Sequence, residues 1–221
     1  MAHTHFAVGY PVDRGNLIRA IIFDLGRVIV PFDFRIGYAR MEARCGIPAA
    51  QIPGLIALTG LVQRFECGQI EPRDFVARLS ARLNLDIGYD DFCEIWSSIF
   101  LSHPLISEEL LEGLARNYRL VLLSNTNAIH YEMIRANYPL LRHFHAFVLS
   151  YEVGAMKPSP TIYQRAIEAA GCLPGECFFT DDIAEYVEGA RGQGIDAVQF
   201  QSAEQVEREL GARGVDLGKR R

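Results

Sequence analysis

Four places in this chain set chemically capable groups at or just after short apolar runs. Asp24 follows Ala20 to Phe23, Ser124-Asn125 follows Arg119 to Leu123, and Asp181-Asp182 follows Cys177 to Thr180. Lys157 lies in the loop Gly154-Ala155-Met156-Lys157-Pro158. Brought to one place, Asp24, Asp181 and Asp182 would resist joint ionisation. A hard divalent cation such as Mg²⁺, which binds oxygen ligands, relieves that repulsion. A lysine and a Ser/Asn pair beside it would hold the remaining oxygens of a phosphate. Each group also has a purely structural use: Ser124 and Asn125 could cap the following helix, Lys157 could be an exposed loop lysine, and Asp181-Asp182 could form an N-cap. The chemical reading therefore requires all four to meet.

The elements around them are of a kind that makes them meet. Ala20 to Phe23 is apolar without a break, which suits a strand buried on both faces of a parallel sheet, and Asp24 sits where that strand stops. In such sheets ligands bind at the carboxyl ends of the strands. From Ser107 onward helix and strand alternate. A helix from Ser107 to Arg116 precedes a strand from Arg119 to Leu123, a helix from Ala128 to Asn137 and a strand from Ala146 to Leu149. Ser159 and Pro160 open the next helix and Gly171 closes it; a strand from Cys177 to Thr180, a helix from Glu185 to Arg191, a strand from Ala197 to Phe200 and a helix from Ala203 to Leu210 complete the series. That alternation predicts right-handed crossovers and a doubly wound parallel α/β sheet, Rossmann-like in architecture.

Between Arg35 and His103 the texture is different. Arg35 to Cys45 is amphipathic and stops at Gly46, Pro72 suits the first turn of a helix carrying Phe75, Leu79 and Leu83, and Phe92, Ile95, Trp96 and Ile99 repeat the stripe. These read as a small helical bundle inserted where it would sit over the site, as a cap. The expected organisation is a flexible N-terminal extension over 1–17, an α/β core over 18–34 and 104–221, and a helical cap over 35–103.

Composition limits the alternatives. The 221 residues are 49% hydrophobic and 22% charged, as in a globular enzyme, and a net charge of −5 argues against a general nucleic-acid binder, which needs a basic surface. No apolar run approaches a membrane span, and Met1 to Asn16 mixes His, Pro, Asp and Arg where a signal peptide would be apolar. Five scattered cysteines without a CxxC pair suggest neither a disulfide framework nor a zinc site, and a cytoplasmic home is expected. His3, His5 and Lys219-Arg220-Arg221 read as solvated ends.

Phe23-Asp24-Leu25-Gly26, Leu123-Ser124-Asn125-Thr126, Lys157-Pro158 and Phe178-Phe179-Thr180-Asp181-Asp182, in this order and with a helical cap between the first two, resemble the four motifs of the haloacid dehalogenase superfamily. Asp24-Leu25-Gly26-Arg27-Val28-Ile29-Val30, Ser124-Asn125-Thr126-Asn127 and the Asp181-Asp182 pair with Glu188-Gly189-Ala190 are similar to a phosphatase branch that includes the bacterial α-D-glucose-1-phosphate phosphatase. The resemblance implies Asp24 as nucleophile, forming an aspartyl-phosphate that water hydrolyses. It implies Mg²⁺ held by Asp24, the Gly26 carbonyl and Asp182, with Asp181 as a direct or outer ligand. Ser124 and the Asn125 backbone would bind phosphate oxygens, and Lys157 would neutralise charge on the phosphoryl group and nucleophile.

One position departs from the superfamily pattern. The general acid two residues after the nucleophile is replaced by Gly26, and the Arg27 guanidinium does not give up a proton at neutral pH. A metal-free 2-haloacid dehalogenase and a degenerate binding protein on the same fold are the rivals. The expected substrate is a small phosphorylated metabolite, the sugar-phosphate class favoured, with a leaving oxygen that departs readily unless the cap or the substrate itself supplies a proton. Arg64, Glu66, Gln69 and Trp96 are cap residues that could contact it, and Glu66 and His103 are the places to look for a missing proton donor.

Overall fold

The computed structural model describes residues 17–218. His3, His5 and the Lys219-Arg220-Arg221 end lie outside the described residues. The chain opens with β1 (Ala20–Phe23) and passes through five helices: α1 (Phe34–Cys45), α2 (Ile52–Ala57), α3 (Leu61–Glu66), α4 (Pro72–Leu83) and α5 (Tyr89–Ser97). It continues as α6 (Glu108–Ala115), β2 (Arg119–Ser124), α7 (Ala128–Asn137), β3 (Ala146–Leu149), α8 (Ser150–Val153), α9 (Pro160–Ala170), β4 (Cys177–Asp181), α10 (Ala184–Arg191), β5 (Asp196–Gln199) and α11 (Ala203–Ala212). Short 3₁₀ turns cover Pro139–His143 and Pro174–Glu176.

The five strands form one parallel sheet in the order β3-β2-β1-β4-β5, so β1 is central. Side chains alternate along a strand. Ile21, Phe23, Leu120, Leu122 and Phe178 therefore share a core with α6, α7 and α11, through Leu111, Ile134 and Leu210. Ala20, Ile22, Val121, Leu123 and Phe179 face the other way, onto Ile162 and Tyr163 of α9 and Val187 of α10. Both faces are covered, which is why these strands read as continuous apolar runs. Helices α1 to α5 have a separate core of Met41, Ile52, Phe65, Phe75, Leu79, Phe92 and Trp96, closed on one side by Ile129 of α7.

Local chemistry sets the helix ends. Ser107 accepts from Leu110 N at 3.2 Å and caps α6, and Gly46 ends α1 in the left-handed region at φ 71°. The cap of α7 is Asn127, which accepts from His130 N at 3.1 Å, so Ser124 and Asn125 are not needed for it. β2 and β4 run one residue past their apolar stretches, because parallel pairing continues through Ser124 with Leu149 and Asp181 with Gln199. Among the described residues no helix is long and apolar enough to cross a membrane.

Candidate active site

The register of the central strands assembles the site. Phe23 pairs with Leu122 on one side and Thr180 on the other. The next residue, Asp24, therefore comes level with Asp181, and its N–H extends the ladder to Thr180 O at 3.0 Å. Lys157 enters from the loop after α8, above the end of β2. Its Nζ donates to Asp24 Oδ1 at 2.6 Å, to Asp181 Oδ2 at 2.5 Å and to Leu123 O at 3.2 Å. The Lys157 side chain is 1% exposed and that of Asp181 0%, so this is a buried, fully engaged ammonium and not a loop lysine in solvent.

Asn125 and Ser150 hold the frame. Asn125 Oδ1 accepts from Lys157 N at 2.8 Å and its Nδ2 donates to Lys157 O at 3.1 Å, a two-point clamp on the lysine's own backbone. The buried Ser150 Oγ accepts from Thr126 N and donates to Thr126 O, both at 2.9 Å, which ties the loop after β2 to the end of β3. Asp181 Oδ1 accepts from Ile183 N at 2.9 Å, so both of its oxygens have protein partners. Asp182 is half-buried, and its backbone carbonyl accepts from Gln199 Nε2 at 2.9 Å.

One carboxylate oxygen from each of Asp24, Asp181 and Asp182 lies within 4.8 Å of the others. Burial pushes Asp24 up to about 7, against the pull of the Lys157 ammonium, and the Asp181 charge pushes the same way as burial. Asp182 is raised by burial and then by Asp181. Burial by itself would lower Lys157, but the charges of Asp24 and Asp181 and its hydrogen bonds to them carry it upward overall. Three carboxylates against one ammonium leave a site whose charge a divalent cation would balance, and all the donors are the hard oxygens Mg²⁺ prefers.

The model of the haloacid dehalogenase-like hydrolases matches residues 18–194, well over half of the chain and spanning all four polar stretches. The chain belongs to this family. Among its relatives, a D-ribitol-5-phosphate phosphatase of Bacteroides thetaiotaomicron is 26% identical over 208 residues, which is 88% of this chain and 97% of that one. A phosphatase of Mycobacterium tuberculosis is 28% identical over 186 residues, 81% of this chain and 86% of its own. The crystal structure of a family enzyme from Bacteroides thetaiotaomicron, in complex with magnesium and inorganic phosphate, superposes with a TM-score of 0.76 at 27% identity and covers 84% of this chain and 95% of that one.

In this hydrolase the sheet edge opens into a cavity of about 320 Å³ beneath the helices that follow β1. Gly26, Ser124 and Asn125 line it on the sheet side, and Phe34, Tyr38, Met41, Ile56 and Trp96 line it on the helix side. Of the residues singled out in the helical segment, Glu66 and Trp96 reach the cavity; Arg64 and Gln69 are exposed and His103 is an exposed loop residue, and none of these three lines it.

Three contributors were not legible as site residues. Tyr186 places its ring 5.2 Å from Lys157 Nζ, and its phenol interacts with the Asn125 side chain. It lies in the first turn of α10, which begins two residues after Asp182, and that nearness in sequence to the strand-end carboxylates is a signal that could have found it. Phe32 lines the cavity beside Gly26. Ser150 had no signal, since its role depends on a contact with Thr126 across the strand order.

Proposed function

We propose that this hydrolase is a Mg²⁺-dependent phosphatase acting on a small phosphorylated metabolite, with the sugar-phosphate class favoured, through an aspartyl-phosphate on Asp24, and that residues 35–103 act as its cap. The observation that carries the reading is the Asp24-Lys157-Asp181 arrangement beside Asp182 at the end of the central strands. A buried carboxylate held by an ammonium, with two further carboxylates in reach of the same point, suits attack on phosphorus. Asp24 attacks, and Lys157 balances the charge that builds on the transferring oxygens. Ser124, 2% exposed at the end of β2, offers its hydroxyl to one of those oxygens. Asp24, Asp182, the Gly26 carbonyl and, directly or through the outer layer, Asp181 would hold Mg²⁺, which when bound supplies electrophilic stabilisation of the phosphoryl group. The helical segment keeps bulk water from the apolar cavity above.

The dehalogenase alternative has no use for a cluster of three carboxylates, and a binding protein has no use for a buried lysine fixed by hydrogen bonds to two strand-end carboxylates and the Leu123 carbonyl. The name of one relative, the D-ribitol-5-phosphate phosphatase, supports phosphorylated sugars or sugar alcohols as the substrate class. The aromatic lining supports a leaving group that turns a hydrogen-clad carbon face to Phe34, Tyr38 and Trp96, which a ring sugar does. That same lining favours, as a second reading, an aryl or acyl phosphate of similar size. A panel of sugar, sugar-alcohol, aryl and acyl phosphates assayed for phosphate release, with Mg²⁺ and with excess chelator, decides among them. Metal-dependent release that is best with sugar phosphates is expected; release of halide from a 2-haloacid in chelator would overturn the proposal.

A further inference from the structure

We propose that Glu66, carried over the site by α3, is the acid that protonates the leaving-group oxygen, the role for which position 26 has no side chain. The inference rests on the phosphatase reading above. Glu66 is half-buried at the last position of α3 and lines the same cavity as Gly26, Ser124 and Asn125. It is the one carboxyl among the residues described around that cavity. The end of α3 is seated on the core beside it: a β-carbon at Gly68 would run into the Tyr151 carbonyl of α8, so only glycine lets the chain lie this close. That seam fixes how Glu66 is presented to the sheet edge.

The other titratable groups facing the cavity are poor donors. His130 bonds through both ring nitrogens, to Asn127 Nδ2 at 3.1 Å and Trp96 O at 3.0 Å, and burial lowers it to about 4. The Tyr38 phenol is raised by burial. The groups that feel the Glu66 charge are Cys67 beside it and Tyr186 of α10, and α8, which packs against α3, carries Tyr151 and Glu152. None of them is a cation, and burial holds the Glu66 carboxyl up to about 7. A general acid works best with its proton affinity near the operating pH, and glutamates are tuned into that range by burial.

The proton balance is complete. As Asp24 Oδ bonds to phosphorus, the bond from phosphorus to the leaving oxygen breaks, its electron pair stays on that oxygen, and the Glu66 proton neutralises it, leaving Glu66 as carboxylate. Water then attacks the phosphorus of the aspartyl-phosphate and gives a proton to Glu66. The bond from phosphorus to Asp24 breaks, hydrogen phosphate departs, and both side chains return to their starting states.

The test compares 4-nitrophenyl phosphate, whose leaving group needs no proton, with phenyl phosphate, nearly the same shape but a poorer leaving group. The parameter is kcat/KM, which covers only the steps through departure of the leaving group. In Mg²⁺, Glu66→Gln is expected to raise the preference for 4-nitrophenyl over phenyl phosphate by about 10²-fold. The wild-type rate on phenyl phosphate should fall above about pH 7, a limb that the variant lacks. Glu66→Asp, which withdraws the acid without removing it, should show an intermediate preference and secures the test if the glutamine variant fails to fold. Equal losses on both substrates, or none, would overturn the role of Glu66 while leaving the phosphatase reading in place. No release of 4-nitrophenol by the wild type would overturn that reading and this inference with it.

Discussion

A β-carbon added at Gly26 would stand 2.8 Å from Cε1 of Phe32. The ring cannot simply swing away, because it packs on Phe34 with centroids 5.0 Å apart and on Phe100 at 6.1 Å, and the Arg27 guanidinium lies 4.9 Å above it. The glycine that replaces the superfamily's acid is thus matched by an aromatic that fills the freed space. Gly26→Ala is expected to cost about 1–3 kcal/mol by overpacking, and a Phe32→Leu background should remove at least half of that cost. Urea unfolding of the four proteins of this cycle measures it; independent, additive effects would contradict the packing account.

Asn125 is expected to act on turnover through Lys157. Its side chain makes two hydrogen bonds to the lysine's backbone, so Asn125→Ala should lower kcat at least tenfold and change KM much less, with a stability loss of about 1–3 kcal/mol. Steady-state kinetics on any substrate from the phosphate panel checks this. A change confined to KM would mean that Asn125 meets the phosphate directly.

Asp181 and Asp182 are expected to fail in different ways. Both oxygens of Asp181 are engaged, by Lys157 Nζ and Ile183 N, and its side chain is 0% exposed, whereas Asp182 is half-buried. Asp182→Asn should weaken Mg²⁺ activation about tenfold or more while melting close to wild type. Asp181→Asn should lower the melting temperature even without metal, since it leaves part of a buried charge unmatched. Mg²⁺ titrations of activity alongside thermal melts in chelator separate the two; the reverse pattern would make Asp181 the direct metal ligand and Asp182 the structural carboxylate.

His130 is expected to make stability depend on pH. Asn127 Nδ2 donates to its Nδ1, which leaves Nε2–H to donate to Trp96 O, so the buried ring is neutral and staples α7 to α5. Burial lowers it from 6.5 to about 4. Between those values the unfolded chain binds a proton that the folded chain refuses, so stability is complete above about pH 6.5 and is lost as pH falls toward 4. The loss is on the order of 3 kcal/mol. Urea midpoints from pH 4 to 7 should fall less steeply with acid in His130→Gln; identical slopes would place the titration elsewhere.

The strand ends were legible because buried parallel strands read as unbroken apolar runs, and a polar residue where such a run stops is conspicuous. Asp24, Ser124 and Asp181-Asp182 could be read in that way, whereas Lys157, in the loop after α8, stood out only by its type and its place in the series of motifs. Helices α4 and α5 could be read from their stripes, whereas α2 and α3, at six residues each, are too short to show a period. What Asn125 does was not legible, because its partner lies 32 residues away and the bond is to backbone, which carries no residue signature. The same holds for Phe32, whose role appears only when its ring is seen against Gly26, and for Glu66, which could be singled out by type while its burial depends on how α3 rests on α8.

The central claim is that phosphate passes through Asp24. Acid-quenching the enzyme during turnover of 4-nitrophenyl phosphate with Mg²⁺, followed by mass spectrometry of the peptide containing Asp24, measures this directly. The account predicts the added mass of one phosphoryl group on Asp24, and neither that adduct nor turnover in a folded Asp24→Asn variant. Turnover that continues in Asp24→Asn, or a phosphoryl group found on another residue, would contradict it.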